Sequence, residues 1–295
     1  MLARRLARLA VSAAIIALLA WLGDRWQARR LPGSVTRTFE YAGGERTYTL
    51  HPGSATSKTS LVLLLHGLGG YGEGMERRTR FDAAAERAGA VVAYPDAIAA
   101  QWNDGWWSST SDDVGFLRAL ADALVDEFGI DRRRVYVAGF SNGAGMAHRL
   151  ACETDRFAAI AAVSGDMFTS VALSCSNGKP VSVMVLHGTD DPVVPYGVPL
   201  TRTMTHWLTH DECAEPGETL QLPDVDPSDG TRVSMQAHAR CLAGTEVALY
   251  TITGGGHTWP GEDFQWLRFR RPGNISRDFD AGQTILDFFL RHPQP

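Results

Sequence analysis

Cysteine is scarce in this chain. The four present, Cys152, Cys175, Cys213 and Cys241, never occur as C-x-x-C. That spacing argues against a thioredoxin-type redox motif and against a clustered zinc site. Positive charge is not in excess: 28 Lys+Arg against 33 Asp+Glu give a net charge of -5, which leaves no electrostatic footprint for nucleic acid. No G-x-x-x-x-G-K-[ST] and no convincing dinucleotide fingerprint occurs, so a phosphate-cradling glycine loop is not expected. His206 and His210 are four apart on a candidate helix, but no glutamate or third ligand completes H-E-x-x-H. They read as surface histidines, and no metal and no cofactor is expected. Internal repeats are lacking, and no second domain of respectable size can be cut out.

Long apolar runs are also few. Residues 9–23 are free of charge and follow Arg4, Arg5 and Arg8, the layout of an export signal. The run is shorter than the roughly 20 residues that span a bilayer comfortably. Trp21 and Leu22 spoil a small-x-small cleavage site, so an uncleaved signal anchor stays open. Residues 1–30 are therefore read as signal peptide or signal anchor plus tether, and 36–295 as one catalytic domain. The protein is expected to be exported, extracellular or periplasmic, monomeric, with membrane anchorage through the N-terminal segment left open. Export suits the cysteines, which all lie beyond the signal. Their three connectivities stay open at this point; sequential pairs would each contribute roughly 3–4 kcal/mol in the loop-entropy model.

What is present is an ordinary globular balance, 44% hydrophobic and 21% charged, long enough for one sizeable core. Short apolar runs at 61–65, 90–94, 135–138, 158–163, 181–186 and 246–252 read as buried strands. Helical patterns at 79–88, 113–128, 143–150 and 281–290 alternate with them, the last capped by Asp280. A hairpin is predicted around Gly43-Gly44. Strands alternating with helices imply a mostly parallel sheet with helices on both faces, a three-layer α/β fold. The segment 210–243, with Pro216, Pro223, Pro227 and Gly230, reads as an irregular excursion.

On this frame sits Gly139-Phe140-Ser141-Asn142-Gly143, a G-x-S-x-G pattern between a predicted strand and a predicted helix. In an α/β-hydrolase the serine lies on that turn, and the acid and then the histidine follow in chain order. Asp191, in His187-Gly188-Thr189-Asp190-Asp191, and His257, after Gly254-Gly255-Gly256, fit both order and position. Ser141 is the candidate nucleophile, His257 its base and Asp191 the group that fixes the imidazole. Asp190 reads as a turn cap, and His66 and His187 as structural, satisfied by nearby backbone. The candidate oxyanion donors are the N–H groups of Asn142 and of Leu68, in His66-Gly67-Leu68-Gly69-Gly70. Trp102 and Trp106 in a polar loop, Tyr196 near the acid and Trp259 near the base are candidate substrate-binding aromatics. Negative charge at Asp112, Asp113, Glu262 and Asp263 would discourage anionic substrates if it faced the site.

Together with these residues, L-L-L-H-G-L-G-G at 63–70, W-N-D-G at 102–105, D-D-V-G-F-L at 112–117, G-F-S-N-G-A-G-M at 139–146, H-G-T-D-D-P-V-V-P-Y at 187–196 and G-G-G-H-T-W-P-G at 254–261 make the chain resemble the secreted polyhydroxybutyrate depolymerase and feruloyl esterase group of α/β-hydrolases, especially the LpqC-type esterases. The resemblance covers about residues 36–292. It implies a cofactor-independent serine esterase acting through an acyl-enzyme on hydroxyalkanoate oligomers or feruloyl or acetyl esters, with Ser141, Asp191 and His257 as its triad and oxyanion donors at Leu68 and Asn142. It also implies a Cys213–Cys241 disulfide, leaving Cys152 and Cys175 as the remaining pair. No substrate-binding module or Ser/Thr-rich linker follows the domain, so a small ester or short oligomer is the expected substrate. An acyltransferase or peptidase, or a non-catalytic envelope binding protein, would use the same fold.

Overall fold

In the computed structural model, which describes residues 33–105, 109–175, 178–215, 217–262 and 273–294, the strand Ser60–Leu65 is buried along its whole length. Leu61, Leu63 and Leu65 join one apolar cluster and Val62 and Leu64 another, as the two-residue period of a strand requires. Such a strand has no solvent face, which is why it reads as a continuous apolar run.

The described elements follow in the order β1 (Val35–Tyr41), β2 (Gly44–His51), β3 (Ser60–Leu65), α1 (Gly72–Thr79), α2 (Phe81–Ala88), β4 (Ala90–Pro95), α3 (Asp113–Phe128), β5 (Val135–Phe140), α4 (Asn142–Glu153), β6 (Ala159–Val163), α5 (Thr169–Ser174), β7 (Ser182–Gly188), α6 (Val198–His210), β8 (Leu220–Gln221), β9 (Arg232–His238), β10 (Val247–Thr253) and α7 (Ala281–Arg291). The strands form one sheet in the order β1-β2-β4-β3-β5-β6-β7-β10-β9-β8. From β4 to β10 the neighbours are parallel, and the outer strands at both edges are antiparallel. Phe116 and Leu120 of α3, Met146 and Leu150 of α4 and Trp207 of α6 cover one face. Phe81 of α2 and Ile285, Phe288 and Phe289 of α7 cover the other. This is a three-layer α/β-hydrolase fold. Contacts gather the chain from Gly33 onward into one compact unit.

The connections after β3 and β5 run to opposite sides, since β4 lies beyond β3 and β6 beyond β5. That makes the carboxyl ends of β3 and β5 a topological switch point, where open α/β sheets form their crevice.

Two expectations need correction. The helical pattern at 79–88 is preceded by a second helix, α1, and Arg80 separates the two in a left-handed conformation (φ 48°). A Cβ at Gly72 would run into the Tyr94 carbonyl, so the glycine allows α1 to pack closely on β4. The excursion 210–243 is not wholly irregular: β9 pairs antiparallel with β10 along seven residues. Disulfides join Cys152 to Cys175 and Cys213 to Cys241, the latter closing that excursion. Among the described residues no helix is long and apolar enough to cross a membrane. Residues 1–30, read as signal or anchor, lie outside the described residues.

Candidate active site

Phe140 ends β5 and Asn142 begins α4, so Ser141 alone makes the turn, at φ 56° and ψ -118°. A positive φ strains a residue that has a Cβ. The strain is held by the Ser141 N–H, which donates to Val163 O at 2.9 Å, and by the N–H groups of Ala144 and Gly145, which donate to Ser141 O. Close approach explains both motif glycines. A Cβ on Gly139 would meet the Gly143 carbonyl, and one on Gly143 the carbonyls of Leu65 and His66. The Ser141 hydroxyl does not cap α4. It reaches His257 instead.

His257 Nε2 lies 3.0 Å from Ser141 Oγ, and His257 Nδ1 lies 2.8 Å from Asp191 Oδ2. An ionised carboxylate only accepts, so Nδ1 carries the proton and the Nε2 lone pair faces the serine hydroxyl. Asp191 Oδ1 accepts from the N–H groups of Val193 and Val194, both at 2.8 Å. Burial pushes the Asp191 carboxyl up. The hydrogen bond and charge of His257, with the two backbone donors, outweigh burial and hold it below the usual carboxylate range. Asp190 is exposed and accepts from the Thr189 hydroxyl, away from this line.

The loop after β3 lies against the serine: a Cβ on Gly67 would come 3.3 Å from Ser141 Cβ. Gly69 N–H donates to Ala100 O and Gly70 N–H to Gly67 O, which shapes the turn around Leu68. Asn142 N–H is at the first turn of α4, where backbone donors lack intrahelical acceptors. His66 fixes the loop from inside. Its Nε2 accepts from Ala97 N–H at 3.1 Å, so Nδ1 carries the proton and donates to Gly67 O at 2.8 Å. Burial lowers the pKa of this imidazole, in keeping with the neutral tautomer.

The aromatic residues stand elsewhere than expected. Trp102 is fully buried rather than at a loop rim, and its indole N–H donates to His66 O at 2.9 Å. Trp259 is 1% exposed and belongs to the α7-side core. Both side chains are too enclosed to present a surface; Trp102 instead supports the loop after β3 through its bond to His66 O. Tyr196 is partly exposed, with its ring edge-on to His187 and its hydroxyl 3.1 Å from Thr251 Oγ1. Trp106 and Asp263 lie outside the described residues. The exposed apolar side chains on the proposed oxyanion and acid loops are instead Leu68 and Val193.

The acidic residues do not form a repelling rim either. Asp113 is buried and pairs with Arg46, Asp112 accepts from Tyr41, and Glu262 is buried against Arg78. Sequence patterns missed what that last pair does. Arg78 lays its guanidinium 3.9 Å from the centre of the Phe140 ring, which itself packs 4.9 Å from His257. Asn142 has an unforeseen role as well: its side chain takes a bond from Trp102 N–H and donates to Trp102 O and Asp104. His206 and His210 are half-buried rather than on the surface, and stack on each other. His66 is satisfied by backbone as expected, whereas His187 is satisfied only at Nε2.

A serine on a strand-to-helix turn, facing a histidine and an acid from later loops of a mostly parallel sheet, defines the serine hydrolases of the α/β-hydrolase fold. The family model described as "Esterase PHB depolymerase" matches residues 45–197, and the chain belongs to that family. It is an esterase, and its substrate is an ester. "Putative esterase NocK" of Nocardia uniformis is 33% identical over 294 residues, covering 87% of this chain and 83% of that protein. "Feruloyl esterase B" of Piromyces equi is 29% identical over 67% of this chain but only 39% of its own length. Among solved structures, an acetyl xylan esterase from Aspergillus awamori shares the fold with a TM-score of 0.63 at 17% identity, covering 86% of this chain and 98% of that one.

Proposed function

We propose that the chain is a serine carboxylic-ester hydrolase with Ser141, His257 and Asp191 as its triad. The unbroken hydrogen-bond line from Asp191 through His257 to Ser141 carries this reading. Ser141 Oγ attacks the ester carbonyl while its proton passes to His257 Nε2. The carbonyl oxygen, now negative, takes hydrogen bonds from the N–H groups of Leu68 and Asn142. The carbon–oxygen bond to the alcohol breaks as His257 returns the proton to the departing oxygen. Water, losing a proton to His257, then releases the acid from Ser141. Asp191 holds the imidazole and offsets its charge.

The substrate class proposed is a hydroxyalkanoate oligomer or a feruloyl or acetyl ester, the chemistries named for the family model and relatives. The apolar side chains of Leu68 and Val193 suit such acyl or aromatic groups. Export is proposed from the basic-then-apolar N-terminus and the two disulfides, which persist in oxidising compartments.

The test is covalent labelling by a fluorophosphonate read by intact mass, with Ser141→Ala as control. It is paired with product release from methyl ferulate, hydroxybutyrate oligomers, acetylated xylan and short p-nitrophenyl esters. One adduct, lost in Ser141→Ala with all turnover, is the expected result. Turnover retained by Ser141→Ala overturns the triad. Release from the synthetic esters alone overturns the proposed substrate class.

A further inference from the structure

Apart from the proposed active site, three ionisable side chains from three elements converge in the interior. His51 ends β2, Glu76 lies on α1 and Asp82 on α2; one ligand atom from each falls within 4.8 Å of the others. Their exposures are 3%, 0% and 4%. Both Glu76 oxygens and Asp82 Oδ2 have no hydrogen-bond partner. Asp82 Oδ1 accepts from the Tyr94 hydroxyl at 2.6 Å. Among the described residues no lysine or arginine forms an ion pair with either carboxylate. Two adjacent carboxylates sealed from water need a compensating cation or a proton.

The imidazole is set up for the cation. His51 Nε2 lies 3.0 Å from Glu86 Oε1. The carboxylate accepts, so in the neutral ring Nε2 carries the proton and the Nδ1 lone pair faces inward. Nδ1 is 3.7 Å from Asp82 Oδ2 and 3.1 Å from Ser34 Oγ. A carboxylate on the outer nitrogen of a histidine whose inner nitrogen faces further donors is the usual second shell of a metal site. Ligand atoms within 4.8 Å of one another can surround one point about 2–3 Å from each, a range that takes in the bond lengths of about 2.0–2.2 Å from Zn²⁺ to N and O ligands. One imidazole and two carboxylates suit Zn²⁺ better than Ca²⁺, which takes 6–8 oxygens.

We propose that His51, Glu76 and Asp82, with Ser34 Oγ beside them, form a structural site for a zinc-class divalent cation that ties β2 to α1 and α2. No sequence motif announces it, because the ligands lie 25 and 6 residues apart on different elements. The site is independent of the ester chemistry, and its test does not read activity.

The full chain, disulfides intact, is measured for metal as purified. It is then unfolded in guanidinium with chelator, refolded with chelator or with ZnCl₂, and desalted. The expected result is about one zinc per chain in the zinc arm and a melting temperature several degrees above the chelator arm. Glu76→Gln is expected to hold no zinc and to melt alike in both arms. Should that variant not fold, Co²⁺ in the wild-type protein supplies the readout, through the visible absorption of a cobalt ion bound by N and O ligands. Equal melting with no bound metal overturns the proposal and leaves a carboxyl pair sharing a proton. Zinc retained by a folded Glu76→Gln overturns it too, because the metal then lies elsewhere.

Discussion

His187 Nδ1 stands 3.9 Å from Asp166 Oδ1 in a space closed to solvent. The other ring nitrogen is 2.8 Å from Val194 O, and a carbonyl only accepts, so Nε2 carries a proton. Nδ1, without a hydrogen-bond partner, faces the Asp166 carboxyl. His187 Nε2 is also 3.7 Å from Asp191 Oδ2, so this pair lies directly beneath the proposed triad acid. The Tyr196 ring meets the imidazole nearly at right angles, 5.9 Å between ring centres.

Burial pushes the Asp166 carboxyl up to about 6, with His187 opposing and the Asp191 charge adding to the rise. The folded pKa is therefore above the unfolded one. The stability this group contributes is full below about pH 4 and is lost as pH rises through about 6. Asp166→Asn removes that loss, so its melting temperature relative to wild type should climb between about pH 4 and 7. A melting difference that stays flat with pH would refute it. The same substitution removes a negative charge that acts on Asp191, the hydrogen-bond partner of His257. The acid limb of the kcat/KM profile should then move to lower pH by about 0.3–1 unit.

Trp102 offers a second test. Its indole N–H holds the His66 carbonyl one residue before Gly67, against which Ser141 packs. Trp102→Phe keeps most of the apolar volume but strands a buried carbonyl, at a cost of about 1–3 kcal/mol. Loosening the loop that carries the Leu68 N–H should lower kcat about tenfold, short of the 10²–10³ that losing an oxyanion donor costs. Steady-state kinetics on p-nitrophenyl acetate decide it. A wild-type kcat would detach Trp102 from the oxyanion loop.

Such roles show where sequence reading stops. Helix α3 is legible to the residue, because Phe116, Leu117, Leu120 and Leu124 mark one face, whereas Asp112, read as an acid near the substrate, caps the helix by accepting from Gly115 N–H. Ser141, Asp191 and His257 are brought together as their order along the chain suggested. The depth of Trp102 is not legible, since it stands between Gln101 and Asn103 in a polar loop and its anchor, His66, is 36 residues away. β9 was missed because it is largely half-exposed, lies next to the sheet edge and alternates weakly. The converging His51, Glu76 and Asp82 depend wholly on packing between elements.

Arg78 and Glu262 lie 184 residues apart in sequence, so their pairing tests tertiary energetics. The Glu262 side chain is 3% exposed and Arg78 26%. Glu262 also accepts from Trp259 N–H, two residues past His257. Arg78→Met leaves a buried carboxylate without its counter-charge and should cost about 2–3 kcal/mol, below the 3–5 typical of a fully buried pair because Arg78 is partly wet. Adding Glu262→Gln should recover part of that. Additive losses in urea unfolding would mean that the pair is not coupled.

The disulfides make the last test, because their loops are alike but their places are not. They close sequence separations of 23 and 28 residues, so the chain-entropy model assigns each about 3–4 kcal/mol with little to choose between them. Cys152 sits in α4, the helix that follows Ser141, and is fully buried. Cys213–Cys241 ties down an excursion at the far edge of the sheet, beyond β10. Replacing either pair with alanine should lower stability by similar amounts in urea. Only the Cys152–Cys175 replacement should also slow fluorophosphonate labelling of Ser141 under native conditions, since it loosens the C-terminal end of the nucleophile's own helix. Equal labelling rates in both variants would show that β5, β6 and the Gly139–Gly143 contact hold the turn without help from that bridge.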